Sequence, residues 1–391
     1  MTSEWINRCR RITKLCTFVL PVILFGCKER FDADINFADT GFLVVEGYIN
    51  IGSKAVTLIK LSRTTPIDED NDRVPEKSAS VAIENSAGET FQLLQLTDGN
   101  YISDSLNLPV DELYRLKISI ADKIYFSEFV KPLETPEIDS VSWNLQPNGV
   151  SIGVSTHDDI NHARQYLWEF DEIWEVKSPR LSLYSYVNST WVNRTADEIK
   201  NMQTCWKYTA ITGLNVQSTK SYSQNLVLNH PIKLIPLNDE RLSERYSIVV
   251  RQRSLSDDAY DYIQLILSNS ENLGTLFDPL PGELTGNIYC SSTSEPVVGL
   301  IDAATTESKQ IFIYNTDIPS WNYTINCEDT LLMFNAGANL DLIMKAYAAT
   351  QYHYTEPLVR DGVYITSGYC ADCRIQGGTN IRPSFWEFGA D

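Results

Sequence analysis

The sharpest chemistry in this chain is written at Leu24-Phe25-Gly26-Cys27. A thiol directly after a small residue closes a short apolar run, Leu15 to Phe25, and Arg8, Arg10, Arg11 and Lys14 precede that run. This order of basic segment, apolar core and small residue is a secretory signal, and the run is too short for a membrane-spanning helix. With cysteine in place it has the pattern of a lipoprotein signal. The Cys27 thiol would take a diacylglycerol, the chain would be cut before it, and the new amino terminus would be acylated. Two or three acyl chains, at ~0.8 kcal/mol per buried methylene, anchor stably where a single chain does not. Phe25 stands where a small or β-branched residue is usual, and the competing reading is an ordinary signal peptide with a chance cysteine. Residues 1–26 are thus expected to be a signal peptide. Residues 27–39, short, polar and acidic (Glu29, Asp32, Asp34, Asp39), read as a tether.

Five cysteines follow Cys27: Cys205, Cys290, Cys327, Cys370 and Cys373. In the oxidising setting of an exported chain they are candidates for two disulfides with one thiol left over, and their spacing does not fix the pairing. Cys370-x-x-Cys373 with Cys327 has the look of a metal or redox site. A zinc ribbon needs a second such pair, which the sequence lacks, so a disulfide pinning the carboxy-terminal segment is the expectation. His157, Asp158, Asp159 and His162 form the one tight metal-ligand cluster. They follow the strand-like Val150–Ser155, so a polar loop is the simpler reading, and no metal or cofactor is assigned. The acidic stretch Thr65–Pro75 (Pro66, Asp68, Glu69, Asp70, Asp72) lacks the glycine and terminal glutamate of an EF-hand and reads as a solvated loop.

Catalytic motifs are scarce. The sequence contains no phosphate-cradling Gly-x-x-x-x-Gly-Lys, no Gly-x-Ser-x-Gly elbow and no His-Glu-x-x-His, and its four histidines leave few members for a triad. With 51 acidic residues some carboxylate pair will fall at glycosidase spacing in any fold, so that signal carries nothing. No catalytic residue is named and a non-enzymatic role is expected. The aromatic-rich stretch Lys177–Ser218 offers Tyr184, Tyr186, Trp191 and Trp206 as a candidate ligand or partner surface. The competing reading is that these rings cap a sandwich beneath a disulfide.

Behind these residues stand elements of β type. Leu113–Ile120 alternates with period two, and short strands separated by Gly, Asn and Asp turns run from 42 to 133. Pro132 and Pro136 bracket a stiff linker, after which Ile138–Trp143, Gln165–Phe170, Ile173–Val176 and Tyr246–Gln252 read as further strands. Ser256 with Asp257 and Asp258 starts a helix near 257–270, and a shorter one is expected near Asp197–Met202. The expected fold is mainly β. It comprises two tandem β-sandwich domains (immunoglobulin, fibronectin-III or prealbumin-like), 40–133 and 134–391, the second with the helical insertion and a cysteine-containing tail. The formal net charge is −19 over 391 residues, and residues 1–26 carry away four basic residues against one acidic one, leaving the remainder more negative. That argues against nucleic acid as a partner and against an electrostatic grip on anionic lipid.

Several blocks together resemble a known family. They are Tyr246–Gln252 with Leu255-Ser256 and Ala259–Tyr262, then Gly274-Thr275-Leu276-Phe277-Asp278-Pro279 and Gly286-Asn287-Ile288. The ending Cys370–Arg374 with Gly377-Gly378-Thr379 and Pro383–Trp386 completes the set. These resemble the Bacteroidota lipoprotein family labelled domain of unknown function 4249. The resemblance implies a surface or outer-membrane lipoprotein, often encoded beside TonB-dependent transporters, and supplies no catalytic residues. Lys28-Glu29 loosely resembles the lysine-plus-acidic signal that sends such lipoproteins to the cell surface. The expectation is a lipid-anchored, surface-exposed accessory of a TonB-dependent outer-membrane barrel in nutrient capture. A surface protein that binds or processes glycans and a structural envelope component are the alternatives.

Overall fold

The computed structural model describes residues 41–65, 73–160, 163–188, 190–209, 214–271, 284, 286–333, 352–354 and 362–386. The fold is mainly β. From the amino-terminal side, a ten-stranded sheet runs in the order Ile288–Cys290, Lys123–Ser127, Tyr114–Ile120, Ala79–Asn85, Thr90–Gln95, Asn100–Ser103, Leu58–Thr64, Leu43–Gly47, Val297–Val298, with Arg73–Pro75 added beside Leu58–Thr64. Tyr114–Ile120 shows why it forms: every second residue is buried, as a half-covered strand requires. Tyr101, Tyr114, Tyr125, Ile59, Leu61 and Ile83 fill its core.

The two ends of this sheet come from one distant segment. Ile288–Cys290 pairs with Lys123–Ser127, and Val297–Val298 runs parallel to Leu43–Gly47. A stretch expected in the second domain therefore closes the first sheet, and the division at 133/134 does not describe the strand pairing. Glu295 lies between the two ends and holds them together. It accepts from Arg63 Nη1 at 3.1 Å and Tyr125 Oη at 3.2 Å, and also pairs with Lys123. Its carboxyl is partly buried, which alone would raise its pKa; the Lys123, Tyr125 and Arg63 contacts outweigh burial and hold it below the usual carboxylate value. Gly299 permits the close approach, since a Cβ there would sit 2.4 Å from the Val45 carbonyl and φ is +147°.

The second core lies between two sheets. One has three strands, Ile138–Gln146, Gly149–His157 and Leu226–Pro236; the other is ordered Thr204–Thr209, Gln165–Lys177, Arg245–Ser254, Thr306–Tyr314, with Asn215–Ser218 beside the start of Gln165–Lys177. Trp168, Phe170, Tyr166 and Tyr246 meet Val150, Ile152 and Val154 between them. Several polar groups buried here are answered. Trp168 Nε1 donates to Gln252 Oε1 at 2.7 Å, and Gln252 Nε2 donates to Thr156 Oγ1 and to the Pro136 carbonyl. Glu172, 0% exposed, accepts from Tyr246 Oη at 2.8 Å and from Lys233 Nζ at 3.0 Å.

The helix Asp257–Glu271 begins as the sequence indicates, with Ser256 Oγ accepting from the Ala259 amide. Asp302 in turn accepts from the Ser256 amide. The helix packs Ala259 and Ile263 on Leu167 and lies in an excursion between the neighbouring strands Arg245–Ser254 and Thr306–Tyr314. That same excursion carries the segment that closes the first sheet. At the Pro132–Pro136 linker, Thr135 Oγ1 accepts from the Ser254 amide and donates to the Thr305 carbonyl, locking the crossing. The described residues from Phe42 onward form one compact unit.

The stretch 177–218, which shows little strand period in sequence, is more ordered than expected. It holds a hairpin of Tyr184–Val187 and Thr190–Asn193, the helix Ala196–Gln203 with a Thr195–Glu198 capping box, and the strand Thr204–Thr209. The hairpin joins Tyr352–Tyr354, Gly362–Ser367 and Thr330–Met333 in a further sheet, so its pairing partners lie far along the chain.

Candidate functional site

The end of the long strand Gln165–Lys177 builds the site. Trp174 and Val176 face inward there, opposite Lys207 and Cys205 of the neighbouring strand Thr204–Thr209. Cys205 is bonded to Cys373, and Cys327 to Cys370, so the two thiols of the Cys-x-x-Cys pair go to different partners. These bonds seat the turn 373–379 against the sheet. Thr379 exchanges two backbone hydrogen bonds with Trp206, at 2.8 and 2.9 Å, and the Cys373 amide donates to the Met202 carbonyl. Gly378 is needed at the contact, because a Cβ would lie 2.6 Å from Cys205 Cβ. Further on, Trp386 Nε1 donates to Glu175 Oε2, and its ring meets Phe312 edge-on beside the Arg245 guanidinium.

Two cavities open on either side of this turn. One, about 280 Å³, is lined by Trp174, Lys207, Tyr208 and Gly377–Thr379. The other, about 360 Å³, is lined among others by Lys177, Ser178, Gln203, Ser243, Tyr323 and Gln376. Glu240 joins them. Its carboxylate accepts from Lys207 Nζ at 2.8 and 2.9 Å and from Trp174 Nε1 at 3.3 Å, all on the first cavity. Tyr323, of the second cavity, feels the same carboxylate: its phenol is pushed up first by burial and then by neighbouring charges, Glu240 foremost. The Arg241 guanidinium stacks 4.9 Å from the Trp174 ring centre. In the second cavity Lys177 Nζ bonds Glu244 Oε2 at 2.6 Å; burial pulls that ammonium down, but the Glu244 and Glu175 carboxylates prevail and raise it. Both lysines are therefore matched by a carboxylate before any ligand arrives.

The residues singled out from sequence fall elsewhere or on only part of this site. Tyr184 is half-buried in its hairpin, and Tyr186 and Trp191 are cross-strand partners there by backbone register. Trp206 is 8% exposed and offers no ring face to a ligand; among the described residues its indole N–H has no hydrogen-bond partner. The aromatic residues that line the cavities, Trp174, Tyr208 and Tyr323, were not among those singled out. The available signal was the Cys-x-x-Cys followed by Gly377-Gly378, which marks a turn that must approach another strand closely.

The remaining candidates are structural where they are described. His157 Nδ1 lies 2.8 Å from an Asp139 carboxylate oxygen, and that hydrogen bond raises its pKa above the ordinary histidine value. Asp158 accepts from the amides of Ile160 and Ala163, closing a loop with the carboxylate that a metal would have needed. His162, Cys27 and residues 66–72 of the acidic stretch lie outside the described residues. Cys290, a candidate for disulfide bonding, is instead a buried thiol. Burial raises its pKa, and hydrogen bonds from Ser292 and Thr293 outweigh that and bring it below the ordinary thiol value.

Comparison with known proteins now bears on this arrangement. The family model described as domain of unknown function DUF4249 matches residues 28–310, well over half of the chain. The chain belongs to the DUF4249 family. No curated protein matches it. Among solved structures, the DUF4249 chain is similar to a two fibronectin type-III domain segment from chicken tenascin. The identity is 9%, over 56% of this chain and 91% of that one, with a TM-score of 0.16. A second match, a chain from a structure of manganese lipoxygenase of Gaeumannomyces graminis together with part of zonadhesin of Komagataella pastoris, has 10% identity over 55% of this chain and 80% of that one, with a TM-score of 0.14.

Proposed function

We propose that the DUF4249 chain is a lipid-anchored binding protein of the cell envelope. On this reading it is displayed at the outer-membrane surface through Cys27 and serves a TonB-dependent barrel in nutrient capture. The observation that carries the reading is the doubly disulfide-stapled groove around Glu240. Two disulfides suit an oxidising compartment, in keeping with the lipoprotein-type signal at Leu24–Cys27. A groove whose walls are fixed by those bonds loses little conformational freedom when a ligand enters. The barrel partner follows from the family resemblance, and the acidic body suits a basic or neutral partner surface.

The test is a detergent-extracted affinity pull-down of the tagged protein beside a Cys27→Ala copy, with protease shaving of intact cells. Co-purification of a stoichiometric TonB-dependent barrel, shaving sensitivity and loss of membrane association in the variant are the expected results. Recovery of the protein alone, still membrane-bound through Cys27, would remove the transporter partnership.

A further inference from the structure

We infer that the paired cavities around Glu240 form a groove for a neutral saccharide chain. This deepens the binding-protein reading above and rests on it. Charge is the first ground. Lys207 is held by Glu240 and Lys177 by Glu244, so an ionic ligand would have to break an existing pair to find a counter-charge. A ligand without charge meets no such cost.

Hydrogen-bonding capacity is the second ground. Ser178, Gln203, Ser243, Gln376 and Thr379 put hydroxyls and amides around the two cavities. Such groups both donate and accept, as sugar hydroxyls do. Val176, Pro179 and Ile325 add apolar wall to the second cavity, which suits the C–H faces of a sugar ring.

Exposed ring faces are the third ground. Tyr208, on the first cavity, is 68% exposed. Gln376, of the second cavity, donates from Nε2 to the backbone carbonyl of Tyr369 at 2.6 Å, and Tyr369 is 47% exposed. An aromatic side chain with a polar tip gives apolar area to the C–H face of a sugar ring while its hydroxyl stays in water. Volumes of about 280 and 360 Å³ sit at the small end of ligand sites and suit short saccharide units, not a folded partner. The rigid turn 373–379 between the cavities would set the spacing of the units.

Isothermal titration of the full-length protein in detergent with maltohexaose, cellohexaose, xylohexaose and mannohexaose tests this, with sodium phosphate as the ionic comparison. Binding of at least one saccharide is expected, about tenfold weaker in Tyr208→Ala and in Gln376→Ala. It should be unchanged in Tyr222→Ala, an exposed tyrosine near the opposite end of the long strand. If Tyr208→Ala loses its cooperative melt, Tyr208→Leu keeps the bulk without the ring face and replaces it. No binding by any of the four saccharides, binding that survives both groove variants, or binding of phosphate in their place overturns the assignment. A co-purified barrel with no saccharide binding would defeat the groove and spare the transporter partnership. Saccharide binding without a barrel would do the reverse.

Discussion

The molecule closes itself twice with distant segments, and the two closures use different chemistry. The first sheet is completed by residues 288–298, clamped through Glu295 to Arg63, Lys123 and Tyr125 without a covalent bond. The end of the second sandwich is closed by residues 370–379, held by Cys205–Cys373 and Cys327–Cys370. An ion-pair closure answers to pH and is indifferent to redox state. A disulfide closure answers to redox state and is nearly indifferent to pH. The closure that borders the cavities is the covalent one, which places rigidity where ligand contacts need fixed walls.

The widest separation of the two comes from removing one crosslink. Cys205→Ser with Cys373→Ser opens a link spanning 168 residues. Unfolding in urea should then show a loss of about 3–5 kcal/mol under oxidising conditions. In reductant the double variant and the parent should converge. A stability equal to the parent's in oxidising buffer would mean that the turn 373–379 is held well enough by its hydrogen bonds and the Cys327–Cys370 bond.

Glu295→Gln probes the other closure, with an expected loss of about 1–3 kcal/mol at neutral pH, since charge-assisted bonds in a partly buried site are replaced by neutral ones. Reductant should not alter that loss. The pH dependence has a definite sign. Glu295 is depressed in the folded protein, so its contribution is present above the unfolded carboxylate value and disappears as pH falls through the lower folded value. The difference between parent and variant should therefore shrink below about pH 4.3, the unfolded reference. A difference that is constant down to strong acid would rule out the clamp as an ionic one.

Cys290→Ser should have the smallest effect, under about 1 kcal/mol, because the replacement hydroxyl can keep the Thr293 partner at the cost of a slightly polar buried atom. It should leave both the reductant response and the acid response unchanged. A shift in the reductant response would show the thiol entering disulfide exchange.

Much of the scaffold could be read from local pattern. Tyr114–Ile120 alternates in sequence and is buried alternately in the fold, and Ser256-Asp257-Asp258 starts a helix where capping chemistry places it. The pairing of Val297–Val298 with Leu43–Gly47 had no such signal, because strand period says which face is buried and nothing about a neighbour some 250 residues away. The site suffered in the same way. Abundance of rings drew attention to Trp206, whose burial depends on Thr379 arriving from the tail. Trp174, in a segment that reads as strand, is core, yet its indole edge meets Glu240 beside a cavity. The pairing of the cysteines was likewise a property of three-dimensional approach and absent from their spacing.

The excursion between Arg245–Ser254 and Thr306–Tyr314 also orders events in time. A chain made amino terminus first delivers residues 42–127 early, but the strands that complete that sheet follow only with residues 288–298. Until then its outermost strands, Leu43–Gly47 and Lys123–Ser127, have open hydrogen-bonding edges. The first sheet is therefore complete only when residues 288–298 have been made. Two strand edges of the kind that pair with other chains are open for that period.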